Sequence, residues 1–416
     1  MRRSLLGASF VAACVLGGNA TAATLKVPQQ FASIQAAVDA AGPGDTVLVK
    51  AGVYVENVII SSGQDGLLLK GSGKVVIDAR PQGAAGSGPA IGIAVANVTV
   101  QNVVVRHAKA GLVGAGVVVL SNGVTLKNVA AYACDDAGIL VAAHDVRIDG
   151  CRVIACRNYG IRVTGDRATI AGCFVRQCDS AGISITGIDA VVRKCRVQTI
   201  EDDSGIEVHG NGARILQNVV LDTDSDAILV TDCGGFEIVG NRVRSAGDSE
   251  GIKLTSSGEG YIASNTCEDC FQSGIELGSD CGLVIVRKNK VLRCGSESEH
   301  GIDIGASDVV VEDNIVVEAE SDGIHTTGAL VTLRGNKVTG CFQDGIEING
   351  SGCVVDANVV KNCHGEGIQN DAAMTDFTNN VMKGNRTDFV NSVNVGVFTG
   401  NVFVTGGIMT GPTIDG

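Results

Sequence analysis

A Gly-Ile pair recurs along this chain at a near-fixed step, and a chain with such a period buries its apolar face only by stacking copies of one supersecondary unit. The pairs, with Val once in place of Ile and Ala once in place of Gly, start at Gly116, Gly138, Gly160, Gly182, Gly205, Ala227, Gly251, Gly274, Gly301, Gly323, Gly345 and Gly367. The steps run from 22 to 27 residues, and seven of the eleven are 22. Equivalent residues therefore stack into columns, and a site on this chain should be a run of side chains one repeat apart.

The repeat from Gly160 to Ala181 shows what is stacked. Ile161 and Val163 alternate with Arg162 as a half-buried strand. Ala168 with Ile170, and then Phe174 or Val175, mark two more short strands. Three strands separated by corners make one turn of a parallel β-helix, with neighbouring coils about 4.8 Å apart. Composition agrees: Gly is 57 of 416 residues, Pro 5 and aromatics 3%. Such a chain suits pleated strands and tight corners rather than long helices.

A second column falls some twelve residues after each Gly: Asn128, Cys151, Cys173, Cys195, Asn218, Asn241, Asn265, Asn289, Asn314, Asn336, Asn358, Asn380 and Asn401. Amides stacked at the strand spacing can hydrogen-bond from coil to coil, so this column is structural. A cysteine column (Cys134, Cys156, Cys178, Cys270, Cys341, Cys363) sits four residues before Gly. In-register stacking fits the disulfide dihedral poorly, so buried free thiols are expected. Cys267 and Cys270 form the one local pair with metal or cross-link spacing. An open solenoid needs covered ends. Phe31, Ile34, Val38 and Ala41 share one helical face, and Gly42-Pro43-Gly44 ends that helix.

The N-terminus reads as an export signal: Arg2 and Arg3, an apolar run from Leu5 to Leu16, and the small-residue site Ala20-Thr21-Ala22. The protein is expected to be secreted or periplasmic; a lipidated Cys14 is the lesser alternative, because the apolar run continues past it. No later apolar run reaches the ~20 residues of a membrane span. The net charge of −13 argues against nucleic acid, whose phosphates need basic patches. Polyanionic substrates are disfavoured too, unless a cation such as Ca²⁺ bridges.

Val27-Pro28, the segment Phe31 to Val49 and Gly52-Val-Tyr54-Val-Glu56 resemble the opening of pectate-lyase-like (pectin lyase fold) right-handed parallel β-helix proteins, and the Asn-x-Val and Gly-Ile-x-Val repeats resemble theirs. The resemblance covers nearly the whole mature chain. It implies an all-β, single-stranded right-handed parallel β-helix of about 12–13 coils with a short N-terminal capping helix, a rod about 60 Å long. The expected divisions are a signal peptide at 1–22, the cap (helix near 31–41) and first coils at 23–88, repeats at 89–405 and a tail at 406–416. No enzyme group of that superfamily is singled out. The Asp-Pro-His-Glu motif of mannuronan epimerases and the polygalacturonase set are absent.

Chemistry is expected on the outward column two residues after each Gly. It runs Val118, Leu140, Arg162, Ser184, Glu207, Leu229, and then Lys253, Glu276, Asp303, His325, Glu347 and Gln369. The position before Gly turns ionisable over the same coils, with Asp226, Glu250, His300, Asp322, Asp344 and Glu366. The resemblance places a substrate groove along this sheet. The candidate catalytic residues are Lys253, Glu276, Asp303, Asp322, His325, Asp344 and Glu347; Glu250, Glu276 and Asp303 are the candidate Ca²⁺ ligands. Carboxylates on neighbouring coils would lie about 5 Å apart, as in retaining glycosidases. Lys253 is an alternative lyase base.

The long step from Gly274 to Gly301 inserts residues just ahead of this column, and Phe271 and Phe342 stand at corners as sugar-stacking rims or as packed corner residues. The expected function is an extracytoplasmic polysaccharide-active β-helix, a lyase or glycoside hydrolase, acting as a monomer on a glycan. The alternative is a non-catalytic glycan-binding or cell-surface structural β-helix, favoured by the complete lack of Trp.

Overall fold

The computed structural model describes residues 22–80, 88–109, 114–296, 298–404 and 408–410, so the export signal and Cys14 lie outside the described residues. The chain winds as a parallel β-helix with three strands per coil. In one coil these are Ile161–Thr164, Thr169–Ala171 and Phe174–Cys178. Each strand pairs in parallel with its equivalent in the coils on either side: Ile161 lies opposite Ile139 and Ile183, and Val175 opposite Val153 and Val197.

The first strands of all coils form a 16-stranded sheet, the Gly-Ile sheet, and the other two stacks form a 30-stranded one. These stacks merge because Thr46–Tyr54, Leu68–Asp78 and Thr99–Arg106 run through the corner without a break. The coil number exceeds the 12–13 expected, because coils at both ends lack the Gly-Ile pair. Val58–Ile60 and Ile91–Ile93 precede it, and Thr387–Asn391 and Ile408–Thr410 follow it. Fifteen steps of about 4.8 Å make the rod about 70 Å long.

Val and Ile fill the interior in layers, with Ile161, Val163, Ile170 and Val175 wholly buried. The repeated Gly is a place of close approach between neighbouring coils. A Cβ on Gly323 would meet Val338 Cγ1 at 2.3 Å and the Gly345 carbonyl oxygen at 2.6 Å. That contact, not backbone torsion, excludes larger side chains there.

The N-terminal helix, Ile34–Asp39, is shorter than the segment read from sequence. Ser33 caps it, and the Glu56 carboxylate accepts from Ile34 N and Gln35 N, each at 2.9 Å. Glu56 of the opening motif thus ties the cap to the first coils, where an acidic group also suits the helix dipole. Ile34, Ala37 and Val38 are buried beneath it. At the other end Phe377, Phe389, Phe398 and Phe403 stack ring against ring, 5.1–6.2 Å between centroids, and close the core.

The asparagine column is a continuous ladder from Asn218 to Asn401, buried as far as Asn380. In each member up to Asn380 the amide nitrogen donates to the next amide oxygen, at 3.0–3.1 Å, and to a backbone carbonyl. Asn128 is not part of it. It is exposed with φ of 51°, and aligns with Gly150; Val129 fills the ladder position instead. Asn128 occupies a column of left-handed residues, a conformation Asn tolerates better than most side chains. All fourteen described cysteines are free and buried, Cys267 and Cys270 included.

Candidate functional site

The outward column forms as expected. Strand register places Lys253 opposite Glu276, then Asp303, His325, Glu347 and Gln369, one per coil. The position before Gly behaves differently. Asp226, Glu250, Asp322, Asp344 and Glu366 are all buried, because they sit where the coil tightens into Gly. Ionisable groups therefore lie in two layers, half-buried above and buried below.

Lys253 anchors one cluster. Its Nζ lies 2.9 Å from Glu250 Oε1 and 3.1 Å from Glu276 Oε2. Ser249 Oγ lies 2.5 Å from both Asp226 Oδ1 and Glu250 Oε2, donating its one proton to one of them and accepting from the other when that carboxyl is protonated. Burial, with the bond to Glu250, pushes Asp226 up to about 7. Burial and Glu250 push Glu276 up to about 8. Burial also opposes charge on Glu250, but bonds from Glu276, Asp226, Ser249 and Lys253 outweigh it and bring Glu250 down to about 2. Burial likewise opposes the Lys253 charge, and its bonds to Glu250 and Glu276 outweigh that and hold it protonated. Lys253 Nζ thus stands between Glu250 and Glu276, two of the three residues read as candidate Ca²⁺ ligands with Asp303.

This cluster sets a pH dependence. Asp226 and Glu276 have folded-state pKa values above their unfolded ones, so their contribution is full below about pH 4 and fades as pH rises through 7–8. Glu250 acts oppositely, and its contribution is lost only as pH falls through about 2. Thermal melts should therefore show a higher Tm at pH 5 than at pH 8.5. In Glu276→Gln that difference should shrink, and an unchanged difference would contradict the assignment.

The second cluster spans the next coils. His300 Nδ1 lies 3.0 Å from Asp322 Oδ2, and His325 Nδ1 lies 2.8 Å from Asp303 Oδ1. The two rings stand 4.2 Å apart at 33°. Burial works against protonation of His325, but Asp303, Glu347 and Asp322 outweigh it and raise its pKa. Burial would raise Asp322, yet the His300 ring, the Asp344 amide and Glu347 hold it down. Glu347 is raised by burial and by the proton it shares with Asp322. Asp344, buried and bonded to Glu366, is pushed up to about 8, while Asp344 and Arg386 hold Glu366 down against its own burial.

Clefts run beside this face, along the corner that leads into the Gly-Ile sheet. One of about 670 Å³ is lined by Phe271, Arg293 and Ser296. A second, of about 350 Å³, shares Arg293 with the first and includes Phe342 and His364. A third, of about 360 Å³, shares Phe342 and His364 and includes Asp344, Glu347, Glu366 and Arg386. Lys253, Glu276, Asp303 and His325 stand on the open face and line none of these clefts.

Phe271 and Phe342 are 56% and 52% exposed, so they form rims rather than packed corners. The insertion supplies Ser296 to the first cleft and sets Glu299 beside Ser273. His364, Arg386 and the position of Glu366 were not legible as a site. Arg386 lies outside the repeat columns, and His364 belongs to a corner whose neighbours depend on the next coil.

The sequence model of the right-handed beta helix region matches residues 46–197 and 181–330, more than half of the chain. The chain belongs to the right-handed β-helix family. No curated protein sequence matches it. Among solved structures it is similar to the complex of XylC with xylose, at 11% identity over 71% of this chain and 83% of that one, with a TM-score of 0.55. It is also similar to the periplasmic alginate epimerase AlgG double mutant, at 12% identity over 82% and 78% with a TM-score of 0.41. PfbA, a surface adhesin of Streptococcus pneumoniae, matches at 12% over 87% and 92% with a TM-score of 0.48. The likeness to XylC is one of fold. Among the described residues, no helix of this β-helix is long and apolar enough to cross a membrane.

Proposed function

We propose that this β-helix is an exported glycoside hydrolase acting on a neutral glycan held in the corner clefts. The observation that carries the reading is that two carboxyls, Glu347 and Glu366, line one cleft together with the Phe342 and His364 rings. An exposed aromatic ring offers a sugar a stacking face. Two carboxyls at a cleft supply the acid and base of glycoside hydrolysis. Glu347, on the outward column, is the proton donor. Glu366, beside Arg386, is the ionised partner.

Charge selects the substrate class. A uronate polymer needs free cations, and those nearby are already paired. Arg293 bonds Glu268 and Asp269, each at 2.7 Å, Arg386 bonds Glu366, and Lys253 bonds Glu250 and Glu276. The net charge of −13 repels polyanions further. A β-eliminating lyase requires a uronate, so hydrolysis is favoured over elimination. XylC, the structure with the same fold quoted above, carries a neutral sugar, xylose.

The test is a panel of neutral glucans and xylans beside alginate and pectate, with and without Ca²⁺. New reducing ends from a neutral glycan are expected, without ultraviolet-absorbing unsaturated product from the uronates. Unsaturated product from a uronate would establish a lyase instead. No turnover anywhere would establish the non-catalytic alternative.

A further inference from the structure

The outward face between Lys253 and Glu347 holds four side chains on two coils in a crossed arrangement. His300 and Asp303 come from one coil, and Asp322 and His325 from the next. Each histidine faces the aspartate of the other coil, at 3.0 and 2.8 Å. We infer that His300, Asp303 and His325 form a binding site for a divalent transition-metal ion of the zinc class.

Geometry is the first argument. One donor atom from each of the three residues lies within 4.8 Å of the other two. Bonds of about 2.0–2.2 Å to one ion need donors roughly 3–3.5 Å apart. The two rings would have to turn about their side-chain torsions to close that difference. Asp303 and His325 are direct partners in strand register, which fixes their Cα positions, and His300 lies just ahead of the Asp303 strand, Ile302–Ile304.

The second argument is an unmet bond. His300 Nδ1 is buried and makes no hydrogen bond, although Asp322 Oδ2 faces it as an ion-pair partner at 3.0 Å. A buried ring nitrogen without a hydrogen bond costs stability, and coordination would satisfy it. At His325, an ion would take the place of the proton between its Nδ1 and Asp303 Oδ1.

Donor chemistry selects the ion. Calcium and magnesium take oxygen ligands, whereas two imidazoles and one carboxylate suit zinc and its first-row neighbours. A metal-binding histidine donates its other ring N–H to a carboxylate, a carbonyl or water. Glu347 Oε2 lies 4.0 Å from His325 Nε2, the nitrogen left over when Nδ1 binds the ion. Three protein ligands would leave a position open to solvent or to a ligand atom. Glu347 and Glu366 are not among the ligands, so this inference stands apart from the hydrolase reading above.

Calorimetric titration of the metal-free protein with zinc chloride tests it, with calcium and magnesium chloride as comparators. One zinc ion per chain is expected, with no binding heat from calcium or magnesium. His300→Gln and His325→Gln should each weaken zinc binding about tenfold or more, whereas His144→Gln, on a distant coil, should leave it unchanged. Circular dichroism melts report whether the variants fold. Anomalous scattering at the zinc edge from soaked wild-type crystals locates the ion without any variant. The inference is overturned if zinc fails to bind at ~100 µM, well above the affinity of a built site. It is overturned equally if both histidine variants bind as wild type does, or if the anomalous peak lies elsewhere.

Discussion

Asn314→Ala is expected to destabilise the rod by about 3 kcal/mol, with one buried backbone N–H left unpaired at roughly 1–3 kcal/mol and the amide-to-amide bonds lost at about 1 kcal/mol. The Asn314 amide nitrogen donates to the Val286 carbonyl at 2.9 Å and to Asn336 Oδ1 at 3.0 Å. Its oxygen accepts from the Asn289 backbone N–H at 2.9 Å and from the Asn289 amide at 3.0 Å. Alanine removes every one of these bonds and leaves Asn289 N without its acceptor in a site that is 0% exposed, while Val286 O keeps the strand partner that its register with Val311 supplies. Water cannot enter to replace them.

In a solenoid each coil touches only its neighbours, so the damage should be local. Hydrogen exchange should accelerate most at the Asn289 amide and in the flanking coils, while the amides near Ile161 stay protected. The same change at Asn401, which is partly exposed at the end of the ladder, should cost much less. A loss below ~1 kcal/mol at Asn314 would mean that the ladder is decorative, since that is the size of an ordinary single hydrogen bond.

The largest functional effect is expected from Glu347→Gln, with kcat on the scissile neutral glycan lowered about 10²–10⁴-fold, the usual contribution of a positioned acid. Glutamine keeps the shape of the side chain and an N–H able to reach Asp322, so the fold and the cleft should persist. What it lacks is a proton to give to the leaving oxygen. The discriminating readout is a substrate whose leaving group needs no protonation, such as an activated aryl glycoside. On that substrate the variant should retain far more of its first-step rate. An equal loss on both substrates would place Glu347 in positioning rather than proton transfer, and undiminished cleavage would remove it from the reaction altogether.

Much of the architecture is legible before any coordinate is seen. The period of Gly116 to Gly367 implies coils, and the alternation around Arg162 implies which residues face inward. Asn218 to Asn401 could be read as a ladder because a stacked column is a property of the repeat itself. Asn128 shows the limit of such reading. One residue of slip moves a side chain from the ladder to the left-handed corner beside it, and the spacing alone does not reveal the slip. The cap is similar: its apolar face was visible at Phe31, Ile34 and Val38, but not Glu56 reaching across to hold its first turn.

Local spacing thus determined the β-helix, its core and the column on which ionisable side chains gather. Tertiary structure alone decided what those side chains do to one another. It buried Asp226, Asp322 and Asp344 beneath the outward column, held Lys253 charged between the Glu250 and Glu276 carboxyl groups, and crossed the His300–Asp322 and Asp303–His325 pairs between coils. It also brought Phe342, His364, Glu366 and Arg386 around one cleft. The physical reason is that a repeat fixes the backbone, and with it the position of every Cβ. Burial, charge and proton affinity arise from contacts across two or three coils, and those depend on side chains that the repeat leaves free to vary.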